Sequence, residues 1–382
     1  MALPDSATGR EALPQYLRPH ISPATRFFCL PGPLLLESGV TLDGVTIAYR
    51  TWGDPANAAQ NAVLICHALT GSADVDAWWP GIIAEDGAFD PRTDFVICSN
   101  ILGSCYGTTG PVSLQPGSGE RYRAAFPRIT VRDMVNAQRA LLDYLGVERL
   151  ALVTGPSLGG MQALEWALMY PERVASIVPI GVGGRHSAWC IAMSEAQRHA
   201  IYADAEWNDG YYSDERTPEK GLAAARMMAI CTYRSWQSFD DRFGREERDS
   251  GEFEVQSYLR HQGEKINGRF DANTYVRLTQ AMNDFDLARG RGEYPGILRS
   301  IRQAALVVSI SSDILYPPHE QQLLARYLPD AQHALLQSAD GHDGFLIECR
   351  KLAGIITEFR KARISGAAVQ ASRTRQLSAV AE

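Results

Sequence analysis

The sequence lacks several features that would each have settled its chemistry. Its seven cysteines, at 29, 66, 98, 105, 190, 231 and 349, are odd in number and form no C-x-x-C pair. That argues against a disulfide framework or a paired-thiolate metal site and leads to the expectation of buried free thiols in a reducing cytoplasm. No H-E-x-x-H occurs, so metal chemistry has no evident ligand set. Lys/Arg runs are missing and the net charge is −7, which argues against nucleic acid as a partner. No uncharged apolar run approaches the ~18 residues needed to span a bilayer. Met1-Ala-Leu-Pro-Asp-Ser6 has neither the basic start nor the apolar core of a signal peptide. Gly181-Val-Gly-Gly184 lacks the spacing of a dinucleotide fingerprint.

What remains has the organisation of an interrupted α/β protein. The 382 residues are 45% hydrophobic and 21% charged, ordinary values for a soluble enzyme. Residues 1–25 are polar and Pro-containing and are expected to run over the surface as an N-terminal extension. Pro33–Leu36 and Val45–Arg50 read as antiparallel strands around a Gly turn. Ala62–His67, Phe95–Ser99 and Leu150–Thr154 are short runs of branched apolar residues, the pattern of buried parallel strands. Thr130 caps a helix through Leu145 whose apolar positions Met134, Ala137, Leu141 and Leu145 recur at helical spacing. Ala175–Gly181, Ala305–Ser311 and Gln332–Gln337 read as further strands, and Leu352–Arg363 as a closing helix. The segment between the strands ending at 181 and starting at 305 is too long to be structureless. It is rich in helix formers and aromatics, with Trp189, Trp207 and Trp236. The reading is an α/β core over 26–184 and 301–365, a helical lid inserted over 185–300, and a disordered tail over 366–382.

The chemistry concentrates at Gly155-Pro-Ser-Leu-Gly-Gly160, between the apolar strand and the helix-forming run Met161–Tyr170. A serine on a Gly-x-Ser-x-Gly turn between strand and helix is the pattern of a nucleophile elbow. The glycines admit the close strand–helix crossing, and the helix N-terminus aims N–H groups at an oxyanion above the serine. The same five residues also fit a glycine-rich turn whose serine merely caps a helix.

A nucleophilic serine needs an acid and then a histidine later in the chain. Three histidines follow position 305. His333 lies inside an alternating strand and reads as a sheet-face residue, and His319 follows Pro317-Pro318 at a helix start. His342 sits in Ala-Asp-Gly-His-Asp-Gly-Phe345, a flexible loop directly after the last strand. Asp313 directly follows the strand 305–311 at the same sheet edge; alone, it also fits a turn-forming aspartate before Pro317-Pro318. Ser157, Asp313 and His342 thus fall at three strand ends in the required order. Arg226 and Tyr233, seven apart on a helix expected over Leu222–Trp236, project from nearly one face. Arg226 fits either a snorkelling surface residue or a buried anion clamp.

Longer strings carry a resemblance. Cys66-His-Ala-Leu-Thr-Gly71, Trp78-Trp79, Asn100–Pro111, Gly155–Trp166, Ala225–Ser235 with its Thr-Tyr-Arg-Ser end, Asp313–Pro318 and Gly341–Phe345 together resemble the homoserine O-acyltransferase family of the α/β-hydrolase superfamily. The resemblance implies an α/β-hydrolase fold with a helical lid, and Ser157, Asp313 and His342 as a catalytic triad. It implies an oxyanion hole from the backbone N–H groups of Leu69 and Leu158. Arg226 would grip an amino-acid carboxylate, with Tyr233 assisting, and Asp343 would bind the ammonium group. It also implies acetyl-CoA or succinyl-CoA as donor, L-homoserine or L-serine as acceptor, no permanently bound cofactor, and a homodimer through the lid. Arg121, Arg123 and Arg128 are candidate partners for coenzyme A phosphates or simply solvated. Two positions depart from the family pattern. Pro156 stands where a small residue is usual, which removes one N–H and tightens the turn. Gly344 replaces the usual Ala, a change expected to loosen the loop that carries His342. A plain serine esterase would share the triad and have no need of Arg226, Tyr233 and Asp343 together.

Overall fold

A computed structural model describes residues 6–363; the tail expected over 366–382 lies outside them. Strands β1 (Arg26–Cys29), β2 (Leu34–Leu35), β3 (Thr41–Leu42), β4 (Thr46–Trp52), β5 (Ala62–Ile65), β6 (Phe95–Ser99), β7 (Leu152–Pro156), β8 (Ser176–Ile180), β9 (Ala304–Ile310) and β10 (Ala331–Leu336) form two sheets. The main sheet has eight strands in the order β1-β4-β6-β5-β7-β8-β9-β10. β1 and β4 pair antiparallel at one edge, and the strands from β6 to β10 run parallel. This is the α/β-hydrolase fold.

Successive side chains of the parallel strands feed opposite faces, as the two-residue strand period requires. Leu64, Ile97, Val153, Ile177 and Val307 pack on one side with helices α1 (Val131–Tyr144) and α2 (Leu158–Met169). Val63, Ile65, Val178, Val308 and Ile310 pack on the other with Trp79, Phe89 and a helix over residues 349–363. Both faces are covered, so these strands read as continuous apolar runs. Thr130 caps α1 with a reciprocal capping box through Asp133.

Between β8 and β9 the described elements are helical: α3 (Ala188–Tyr202), α4 (Glu219–Tyr233), α5 (Trp236–Phe243), α6 (Glu254–Asn267), α7 (Ala272–Asn283) and α8 (Tyr294–Ser300). A further helix, α9 (Pro318–Tyr327), follows β9.

Three sequence expectations need correction. The N-terminal extension does not simply run over the surface, because Leu13, Leu17 and Ile21 recur every fourth residue and are buried in the core. Leu34–Leu35 does not pair with the 45–50 strand. It forms a small ribbon with Thr41–Leu42, and β4 pairs instead with β1. Finally, the helix expected over 222–236 is two helices. α4 ends at Tyr233 because Arg234 turns extended (φ −102°, ψ 151°), and Ser235 caps α5 by accepting from Ser238 N–H.

Candidate active site

β7 delivers Ser157 at its C-terminal end, and α2 begins at the next residue. Ser157 has φ 54° and ψ −121°, a conformation that L side chains rarely adopt and that marks stored strain. The flanking glycines are obligatory. A Cβ on Gly155 would lie 2.2 Å from Cys66 O, and one on Gly159 2.0 Å from the same atom. Pro156 is tolerated because the ladder bond to β8 comes from its neighbour: Ser157 N–H donates to Ile180 O at 2.9 Å.

Asp313, three residues beyond β9, accepts the Leu315 and Tyr316 N–H groups on Oδ1, each at 2.9 Å. It is therefore a turn-forming aspartate too, and those two bonds fix its carboxylate. Its Oδ2 lies 2.6 Å from His342 Nδ1. A carboxylate only accepts, so Nδ1 carries the proton and Nε2 is left free. Burial alone would lower the His342 pKa, but the charge and hydrogen bond of Asp313 outweigh it and the value is raised. The imidazole is packed among Tyr233, Tyr316 and Phe345.

The loop carrying His342 is tightly held. A Cβ on Gly341 (φ +66°) would sit 2.7 Å from Tyr233 O, Arg234 C and Ser235 N. Gly344, expected to loosen the loop, does the reverse. A Cβ there would come 2.7 Å from Ile310 Cγ2, so the glycine admits closer packing. Ser157 and His342 both face a cavity of about 500 Å³ whose wall includes Leu69, Trp78, Arg226, Tyr233, Lys265, Arg269 and Asp343. The Arg226 guanidinium stacks over the Tyr233 ring at 5.6 Å, so Arg226 belongs to the cavity wall. Asp343 faces Arg234 Nε at 3.4 Å. Burial raises its pKa, and Arg234 and Arg226 oppose that rise.

Neither Leu69 N–H nor Leu158 N–H donates to a protein acceptor among the described residues. Leu158 is fully buried and Leu69 nearly so. Leu158 follows the serine directly and Leu69 shares its cavity wall, so both residues carry backbone donors that no protein group among the described residues engages.

The chain matches the α/β-hydrolase fold family over residues 61–348. It is 58% identical to the homoserine O-acetyltransferase of Trichormus variabilis, covering 89% of this chain and 95% of that protein. The crystal structure of homoserine O-acetyltransferase from Bacillus anthracis superposes with a TM-score of 0.82 at 25% identity, over 88% of this chain and 97% of that one. A crystallised esterase superposes about as well, with a TM-score of 0.81 at 28% identity, over 88% and 99%. The chain belongs to the homoserine O-acetyltransferase family.

Within that family frame, residues not singled out from sequence also shape the cavity. His67 Nε2 accepts from Ile101 N–H at 3.2 Å and its Nδ1–H donates to Ala68 O at 2.8 Å, pinning the loop that presents Leu69. Burial pushes the His67 pKa down to about 4, so the ring is neutral near pH 7. Arg234 ties α4 to the histidine loop, with Nη1 2.6 Å from Asp340 Oδ1. Both lie inside strings that carry the family resemblance, but nothing in their spacing showed what they would touch. The three arginines offered as coenzyme A partners are occupied elsewhere. Arg121 and Arg123 share Asp214 at 2.9 and 2.8 Å, Arg128 pairs with Asp284 at 2.8 Å, and none lines this cavity. All seven cysteines are free thiols. No described helix is long and apolar enough to cross a membrane.

Proposed function

We propose that this chain transfers the acetyl group of acetyl-CoA to the side-chain hydroxyl of L-homoserine through an acyl-enzyme on Ser157, a step of methionine biosynthesis in the cytoplasm. The observation that carries the reading is the composition of the cavity. The strained serine and the Asp313-paired histidine share it with an arginine and an aspartate, which suit the carboxylate and ammonium of an amino acid.

In the first half-reaction His342 Nε2 takes the Ser157 proton as Oγ attacks the thioester carbonyl. The Leu69 and Leu158 N–H groups hold the oxyanion, and coenzyme A leaves as its thiol with the proton returned by His342. In the second, His342 takes the proton of the homoserine hydroxyl, whose oxygen attacks the acyl-serine. Ser157 regains a proton, and O-acetylhomoserine departs. Asp313 keeps the imidazole in the Nδ1–H tautomer and stabilises its charged form throughout. Arg226, with Tyr233 stacked against it, grips the acceptor carboxylate, and Asp343 the ammonium. Exposed Trp189 and Ile191 on α3 and Met228 on α4 support a homodimer through the helical insertion.

Homoserine is favoured over serine, and acetyl over succinyl, by the relatives' name. Succinyl-CoA belongs in the assay because Lys265 and Arg269 add further cations to the wall that holds Arg226. The esterase neighbour makes hydrolysis the rival. Thiol release from acetyl-CoA is therefore followed with homoserine, serine and water as acceptors, in the parent protein and in Arg226→Ala. Loss of the charged grip is expected to cost at least ~100-fold in kcat/KM for homoserine while thiol release to water persists. Equal loss with homoserine and water would remove Arg226 from acceptor binding.

A further inference from the structure

The charged groups of the cavity wall are unevenly paired. Its two carboxylates are matched by arginines: Asp74 by Arg50 at 2.9 Å and Asp343 by Arg234 at 3.4 Å. Its cations are not. Among the described residues Arg226, Lys265 and Arg269 form no ion pair with any carboxylate. Arg226 is already placed on the acceptor. Lys265 and Arg269 are left, four residues apart at the C-terminal end of α6 and in the connection that follows it.

Their setting marks the mouth of the cavity rather than its floor. Ser157 and His342 are buried, Arg269 is half-buried, and Lys265 and His20 are exposed. Arg269 is held in place without being neutralised. One Nη1 proton goes to Thr70 O at 3.1 Å, and Tyr106 Oη donates to its backbone carbonyl at 2.7 Å. His20 Nε2–H donates to Gly268 O at 2.9 Å, one residue away, which leaves its Nδ1 unengaged by that bond. A fixed guanidinium and an exposed ammonium at a cavity entrance, neither paired with a carboxylate among the described residues, form a site for a ligand carrying several negative charges outside the cavity and a neutral arm within it.

We propose that Lys265 and Arg269, with His20 beside them, form the subsite for the phosphates of the acyl donor, so that the neutral acyl-pantetheine arm extends from them toward Ser157. The assignment rests on the thioester-donor reading above and adds which residues recognise the phosphorylated end. It also replaces Arg121, Arg123 and Arg128 in that role.

Two measurements on the full chain test it. The first compares kcat/KM for acetyl-CoA with that for S-acetyl-pantetheine, which lacks the adenosine phosphates. In Lys265→Ala the ratio of the two is expected to fall about tenfold, and in Lys265→Glu further. Added salt should lower the ratio in the parent protein and do so less in the variants. A ratio unchanged by Lys265→Glu overturns the subsite. The second measures binding of adenosine 3′,5′-bisphosphate by calorimetry, which needs no turnover. Binding by the parent that weakens in Lys265→Glu and in Arg269→Lys supports the subsite. No binding by the parent, or binding indifferent to both changes, overturns it. A parent protein that turns over acetyl-CoA while failing these tests loses only the subsite. One that binds the bisphosphate and releases no thiol keeps the subsite and loses the thioester reading.

Discussion

Asp313 shows how one side chain takes two roles that looked like alternatives in sequence. Its Oδ1 closes a turn onto Leu315 and Tyr316, and its Oδ2 orients His342. The pairing fixes the sign of the pH dependence. In the proposed reaction His342 must be neutral to accept a proton, and Asp313 raises its pKa above 6.5 against the opposing effect of burial. The acid limb of kcat/KM should therefore rise with pH through a value above 6.5. Asp313→Asn removes the raising charge and leaves burial to dominate, so the limb should move to lower pH. The rate should fall about 10⁴-fold as the tautomer is lost. A limb that stays put in a pH–rate series would mean that Asp313 is not the partner that sets it.

At the scale of elements, strong local patterns were legible and pairing was not. β5, β6, β8 and β9 announce themselves as branched apolar runs, because strands buried on both faces need apolar side chains on both. The elbow announces itself through glycines that a close backbone crossing makes obligatory. β1 carries no such signal, because Arg26-Phe-Phe-Cys29 is four residues long at a sheet edge, too short to show alternation. The pairing of β2 could not be read, since two residues carry no register signal. The polarity of the N-terminal extension hides its burial, although Leu13, Leu17 and Ile21 recur every fourth residue. Leu17 is fully buried. Leu17→Ala should cost 2–5 kcal/mol or so in a denaturation series. A cost well under ~1 kcal/mol would mean that this segment packs only loosely. The helix break at Arg234 was also invisible, because what ends α4 is tertiary: the segment 233–235 must lie flat beneath Gly341.

For the whole molecule, the buried imidazoles link folding to acidity. His67 is fully buried and has a folded pKa of about 4 against an ordinary value of 6.5, and His186 is lowered to about 3. A depressed folded pKa means that the unfolded chain binds the proton first. The stability that these two rings contribute is thus complete above pH 6.5 and is lost as pH falls from there through about 4, with His67 alone contributing roughly 3 kcal/mol over that interval. Equilibrium unfolding followed between pH 7 and 4 should show the decline, and His67→Gln should reduce its slope. A slope unchanged by that substitution would contradict the buried, neutral state of His67.

The residues of the candidate site were more legible as a group than the architecture around them: Asp313 meets His342, and Ser157 shares a cavity with that histidine. The order serine, aspartate, histidine at three strand ends is one-dimensional information, and so is a long family string. The positions of Arg234, Lys265 and Arg269 depend on how the helical insertion folds back over the elbow, which no local pattern encodes. The assignment as a whole turns on whether Ser157 becomes acylated. Intact-protein mass spectrometry after mixing with acetyl-CoA, without acceptor, measures this directly. An added mass of one acetyl group on Ser157, lost on adding homoserine and never formed in Ser157→Ala, is the predicted result. Undiminished thiol release by Ser157→Ala would contradict the account.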